Sequence, residues 1–131
     1  MPNLDAWSPR VLSILRIVAA LLFMEHGLMK LFHFPAAPPG LPSPLPMILV
    51  AAGWIEIVGG ALIALGLFTR AAAFVCSGEM AVAYFMVHAP QNVWPALNMG
   101  EAAVLYCFVF LYLIFAGAGL WSLDALVRKR P

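Results

Sequence analysis

Four long apolar runs leave this chain few ways to fold. They extend from about Val11 to Phe32, Pro46 to Phe68, Ala71 to His88 and Leu97 to Phe115. Each approaches or exceeds the roughly 20 residues that an α-helix needs to cross a hydrocarbon core about 30 Å thick. Strands are a poor alternative, because the runs are long, rich in Ala, Leu and Met, and lack period-two alternation. Hydrophobic residues make up 64% of the chain and charged residues 10%, against roughly 45–50% and about 25% in soluble domains. A soluble domain of 131 residues has too little interior to hide so much apolar surface. The expectation is an all-α membrane protein, a single domain over 1–131, folded as a left-handed bundle of four transmembrane helices in a lipid bilayer.

The connections agree with that division. Phe34 to Pro46 holds Pro35, Pro38, Pro39, Pro42, Pro44 and Pro46 together with Gly40, so it is a proline-stiffened loop and not a helix interior. Pro46 suits the first turn of the second helix, where its missing N–H costs nothing. Thr69-Arg70 reads as a very short link, which makes the second and third helices antiparallel neighbours. Ala89 to Ala96, with Pro90 and Pro95, joins the third to the fourth. Four spans put both termini and the Thr69-Arg70 link on one side. That side carries Arg10, Arg16, Arg70, Arg128, Lys129 and Arg130, and the opposite side only Lys30. The positive-inside rule then places both termini in the cytoplasm. Trp7 and Trp121 on the inner boundary and Trp94 on the outer one suit interfacial anchoring.

The residues that do not belong in oil define the candidate site. Every glutamate lies in an expected span: Glu25, Glu56, Glu79 and Glu101, one per helix. A charge at mid-membrane opposes insertion by roughly 2.5–3.5 kcal/mol, so such groups are expected to face the bundle interior and pair. At about 1.5 Å per residue, Glu56 and Glu79 fall near mid-depth and Glu25 and Glu101 in the outer half. His26 and Lys30, one helical turn apart, share a face and can meet these acids. Ala52, Glu56, Gly60 and Ala64 form one stripe of small residues around an acid, bordered by Gly53 and Gly59, as close helix packing requires. Cys76, Glu79 and Ala83 share a face on the third helix, and Glu101, Leu105, Phe108 and Tyr112 do so on the fourth. Both faces are expected to turn inward. The catalytic candidates are Glu25, His26, Glu56, Glu79 and Glu101. The candidates for ligand binding are His26, Lys30, Glu56, Tyr84 and Tyr106.

Several function classes are disfavoured. A net charge of +1 offers no field for nucleic acid. Cys76 and Cys107 form no C-x-x-C pair and read as free thiols in apolar surroundings. Di-iron bundles use Glu-x-x-His pairs, and none occurs here. Glu25 and His26 point about 100° apart, and His88 is nine residues from Glu79, too far along the helix to ligate with it. No metal site is expected. Ser13 and Ser77 sit in no nucleophile motif. No haem, flavin or iron–sulfur motif is present, so no covalent cofactor is expected.

Short motifs in fixed order carry a family resemblance from about Arg16 to Asp124. They are His26-Gly27-Leu28-Met29-Lys30, Gly53-Trp54-Ile55-Glu56 followed by Gly59-Gly60, and Gly66-Leu67-Phe68-Thr69-Arg70. Met80 to Phe85, His88-Ala89-Pro90, Asn98-Met99-Gly100-Glu101, Tyr106-Cys107-Phe108 and the stretch from Gly117 to Asp124 complete the set. The chain resembles the DoxX family of small bacterial membrane proteins, with a departure in its proline-rich first outer loop. The resemblance implies four helices in the bacterial inner membrane and an association with quinone-linked redox systems. Quinones live in the bilayer, and an interhelical pocket with a few polar groups suits a quinone ring. Buried carboxyls and His suit the accompanying proton movement. The leading expectation is therefore a membrane component of such a system, an oxidoreductase subunit served by a redox partner. Two alternatives stand beside it: a non-catalytic scaffold or anchor for redox partners, and a small proton or solute transport subunit, which would need a homo-oligomer to form a pore.

Overall fold

A computed structural model describes residues 2–128. The described residues fold into helices and irregular connections. Helix α1 is Ser8–Phe32, α2 is Met47–Leu65, and α3 is Thr69–Ala83, which continues through a wide π turn, Tyr84–His88. A short α4, Pro95–Asn98, precedes α5, Glu101–Ala116, and α6, Leu123–Arg128, follows a tight reversal. Three helices are long and apolar enough to cross a membrane: Ser8–Phe32, Met47–Leu65 and Thr69–His88, with mean hydropathies of 1.8, 2.2 and 1.4. Helix α5 is apolar but has 16 residues.

The elements differ from the sequence expectation at the start of α1, which begins at Ser8 and not Val11, at the α2–α3 link and in the fourth span. The second helix ends at Leu65, and its last carbonyls are closed by Gly66 N–H to Ile63 O at 3.0 Å and Leu67 N–H to Leu62 O at 2.9 Å. Gly66 takes a φ of 69° there, a left-handed cap that glycine adopts without strain. The link is thus Gly66 to Phe68, and Thr69 and Arg70 already belong to the first turn of α3. The expected fourth helix is broken: Met99 has a φ of 59° and Gly100 leaves helical geometry, so the segment divides into α4 and α5. The fully buried Asn98 makes the break stable, its Oδ1 accepting from Gly100 N at 2.8 Å and its Nδ2 donating to Asn92 O at 2.9 Å and Tyr84 Oη at 3.2 Å.

Small residues govern how the helices meet. Helix α1 lies along α2, α2 beside α3, and α3 along α5, while α1 and α5 touch sparingly. A Cβ on Gly27 would stand 2.6 Å from Gly53 O and 2.9 Å from Glu56 Cβ, so only glycine permits the α1–α2 approach at this level. Gly59 meets Cys76 Sγ at the α2–α3 contact in the same manner. The core between the four longer helices is Ala20, Phe23, Ile63, Ala73, Phe110 and Leu113, all fully buried. Phe23 and Phe110 meet edge to face at 4.8 Å.

The face of α5 that was expected to turn inward does the opposite. Glu101 is exposed, as are Leu105, Phe108, Tyr112 and Phe115. The inward face instead carries Ala103, Phe110 and Leu113. The apolar members of this stripe, Leu105, Phe108 and Phe115, lose little by facing apolar surroundings.

One end of the bundle is tied by arginines. Arg16 is fully buried; its guanidinium donates to Ala118 O, to Trp121 O at 2.7 Å and to Ala64 O at 3.4 Å. It thereby supplies donors to the open carbonyls at the end of α2 and to the 117–122 reversal. Arg70 does the same for α5, with Nη1 2.7 Å from both Ile114 O and Phe115 O. Asp124 closes the start of α3 by accepting from Phe68 N at 2.9 Å and Thr69 N at 3.0 Å. Of the basic tail, Arg128 ends α6, whereas Lys129 and Arg130 lie outside the described residues.

Candidate functional site

The two glycine contacts bring a cation and two acids together. Lys30 sits one turn beyond Gly27 on α1, and Glu56 one turn beyond Gly53 on α2. Lys30 Nζ reaches both oxygens of Glu56 at 2.8 Å, and the Glu56 side chain is 2% exposed. A carboxylate this deep is stable only when neutralised and hydrogen-bonded. On α3, Glu79 lies one turn beyond Cys76, the residue that meets Gly59. Its carboxyl lies against that of Glu56. Glu79 Oε2 is buried and has no hydrogen-bond partner among the described residues, although buried polar atoms almost always find one.

These groups open on a cavity of about 270 Å³ between the helices. Lys30, Glu56, Glu79, His26, His88 and Tyr106 supply its polar wall. The Tyr106 ring is held by aromatic packing, stacked on Phe110 at 5.9 Å and tilted against Phe23 at 5.6 Å. His26 approaches Tyr106 edge-on at 6.0 Å and is exposed on its other side. The remainder of the wall is apolar, with small residues such as Ala52, Ala83 and Ala103.

His88 escaped the sequence analysis as a site residue. Residues nine apart in a continuous α-helix lie on opposite faces, which separates His88 from Glu79. The π turn removes that obstacle. Ala89 N–H bonds to Tyr84 O at 2.9 Å, an i→i+5 closure that absorbs an extra residue and swings His88 back toward the Glu79 face. The distance along the helix still keeps the two from sharing an ion, yet both line one cavity. His88 Nδ1 is 2.9 Å from Asn98 O. A carbonyl only accepts, so Nδ1 carries the hydrogen of this bond and Nε2 is the ring nitrogen left toward the cavity side. Pro90, two residues past His88, was the available signal for irregular helix geometry here.

The other sequence candidates lie apart from the cavity. Glu25 and Glu101 are exposed and do not line it. Tyr84 stands behind it: its hydroxyl accepts from Asn98, and its ring packs beside His88 at 6.3 Å and against Gly100. Among the described residues no group of three or more His, Cys, Asp or Glu side chains is arranged to hold a metal ion. Cys76 and Cys107 are free thiols, Cys76 buried and Cys107 half-buried.

An apolar exterior, a polar end held by arginines and one polar cavity among the helices define a small polytopic membrane protein with an internal polar site. The DoxX family model matches residues 11–89, from α1 through the π turn. The chain belongs to the DoxX family. It is 48% identical over 129 residues to an uncharacterized protein of Haemophilus influenzae, covering 95% of this chain and 96% of the relative. A second uncharacterized protein of that organism is 31% identical over 126 residues, covering 90% and 83% of the two chains. An uncharacterized membrane protein of Mycobacterium tuberculosis is 25% identical over 143 residues, covering 97% and 87%. No solved structure matches the chain.

Proposed function

We propose that this protein crosses the bacterial inner membrane four times, with both termini in the cytoplasm, and binds a quinone ring as the membrane component of a redox system. The fourth crossing is α4 and α5 together. A helix break at membrane depth is tolerated where its polar groups are satisfied inside the protein, and Asn98 satisfies this one. The orientation rests on Arg10, Arg16, Arg70 and Arg128 at one end against Lys30 toward the other.

The observation that carries the function is the convergence of His26, Lys30, Glu56, Glu79, His88 and Tyr106 on one cavity of about 270 Å³. Reduction of a quinone takes two electrons and two protons and yields the quinol. Electrons come from a partner subunit. The protons come from groups of this chain: Glu79, whose buried oxygen lacks a partner, and Tyr106 or a histidine facing the ring oxygens. Lys30 holds Glu56 in place through both of its oxygens. Photolabelling of the full-length protein in membranes with a photoreactive quinone tests the reading. Label is expected on α1, α3 and α5 around the cavity, diminished in Glu79→Gln. A complete lack of label, with no quinone co-purifying, overturns it.

One observation favours a second reading, a non-catalytic anchor for redox partners. The Lys30–Glu56 pair is a one-to-one contact of the kind that merely locks two helices. Under that reading Glu79→Gln leaves partner activity intact; under the first, activity falls while the complex still assembles.

A further inference from the structure

A second set of charges lies at the end of the bundle held by arginines. A pocket of about 280 Å³ is enclosed there by the start of α3, the 117–122 reversal and α6, and none of its residues lines the polar cavity. Its charged members are Arg70, Arg128 and Asp124, and the rest of its wall is Ala, Gly and Ser, side chains too small to fill it. Asp124 has both oxygens engaged by the Phe68 and Thr69 N–H groups, and its charge meets the positive end of α3. Ser122 is also engaged, its hydroxyl donating to Gly119 O at 3.0 Å and accepting from Ala125 N at 3.1 Å. The two arginines keep donors in reserve. Arg70 uses Nη1 on the α5 carbonyls, while its Nε and Nη2 and the whole Arg128 guanidinium meet no acceptor among the described residues. Neither forms a salt bridge, because Lys30–Glu56 is the one such pair among those residues.

The reversal is shaped to hold Arg70 against this space. Gly117 has a φ of 80°, and a Cβ there would stand 3.1 Å from Arg70 Nη2, so glycine lets the guanidinium lie flat on the backbone. Phe68 and Phe115, whose backbone groups bond Asp124 and Arg70, are both exposed. The pocket therefore sits where the apolar surface of the bundle gives way to its charged end. Guanidinium groups present planar forks of N–H donors that match the oxygens of a phosphate. We infer that this pocket binds the phosphate of an anionic phospholipid headgroup at the membrane surface. Charge complementarity selects the anionic class: a zwitterionic headgroup brings its own ammonium beside two arginines without a carboxylate partner, and an anionic one does not. The flanking Phe68 and Phe115 select a phosphate borne by a lipid, whose acyl chains stay in the bilayer while the phosphate reaches the arginines. The site shares no residue with the quinone cavity and does not depend on that reading.

Native mass spectrometry of the full-length protein in an uncharged detergent tests the site. The probes are phosphatidylglycerol and phosphatidylcholine with identical acyl chains, and inorganic phosphate. One phosphatidylglycerol is expected to bind at least about tenfold more tightly than phosphatidylcholine, a difference of about 1.4 kcal/mol. Arg128→Gln is expected to abolish that preference; Arg128 is exposed at the end of α6, so its loss leaves the fold in place. Ala125→Leu fills the pocket without altering its charge and is expected to do the same; should it fail to fold, Arg128→Gln carries the test. Arg10→Gln removes a cation from outside the pocket. It is expected to keep the preference within about twofold, because an uncharged detergent has no surface potential to act on that charge. Equal binding of the two lipids to wild-type protein overturns the inference, as does persistence of the preference in either pocket variant. It also falls if Arg10→Gln loses as much as Arg128→Gln, which would mean a diffuse attraction to basic residues. Displacement of phosphatidylglycerol by inorganic phosphate at matching concentration overturns it as well, making the site one for free phosphate.

Discussion

Lys30 is the one cation among the described residues that lines the cavity, and it faces two carboxyls. Its chain runs from the last turn of α1 to both oxygens of Glu56. Removing one partner of a buried pair leaves an uncompensated charge and costs about 3–5 kcal/mol, whereas removing both costs much less. The 20% exposure of the Lys30 side chain moves its case toward the lower figure. Lys30→Met is therefore expected to lower the thermal midpoint of the purified protein sharply, and Lys30→Met with Glu56→Gln to regain most of the loss. A double variant no more stable than the single one would show that the pair is not the reason for the Glu56 burial. At this scale the sequence was informative in part. That acids in apolar runs need partners follows from charge alone, and Glu56 and Lys30 were both marked. The choice of Glu56 and Glu79 as the cavity acids, with Glu25 and Glu101 left exposed, depends on helix rotation. Each run is apolar almost all round, so its periodicity carries little information about rotation. Arg16 illustrates the same gap: counted as an orienting charge, it is a fully buried donor to carbonyls from distant parts of the chain.

Elements end where a side chain from elsewhere closes them. The first turn of α3 has no local cap, because Phe68 is left-handed and offers no side-chain acceptor. Asp124, from α6, performs the capping across the chain. Burial alone would raise the Asp124 carboxyl, but the Thr69 and Phe68 N–H donors and the nearby Arg128 outweigh it and hold the group below the usual aspartate value. A depressed folded value means that this stabilisation is complete above the unfolded value, about 3.9, and is lost as pH falls through the folded one. Wild-type protein should thus lose stability on acidification below about pH 4. Asp124→Ala should be less stable near neutrality by about 0.5–2 kcal/mol, in the range of a lost helix cap, and should show a weaker acid dependence. Melting curves across pH for both proteins check this; parallel curves would remove Asp124 from the cap. The π turn and the α4–α5 break belong to the same scale. Pro90, Pro95 and Gly100 marked irregularity, while the compensating bonds through Asn98 and His88 join residues that only folding brings together.

For the whole molecule, the charge distribution sets the topology test. Arg16, Arg70, Asp124 and Arg128 gather at one end, and the proline-rich loop lies at the other. With both termini inside, Ser43→Cys should react in intact cells with a membrane-impermeant thiol reagent, and Asn3→Cys only after permeabilisation. The buried Cys76 and half-buried Cys107 set the background. Labelling of Asn3→Cys in intact cells, with Ser43→Cys protected, would invert the topology.

Helical class, membrane solvent and family follow from the sequence by itself, because apolar length and the order of short motifs are properties of the chain read in one dimension. The tertiary structure decided which acids share a cavity, that His88 joins them and that the large α5 stripe faces outward. These outcomes depend on helix rotation and close backbone approach at Gly27, Gly53 and Gly59, which are fixed by packing between helices and not by the pattern within any one of them.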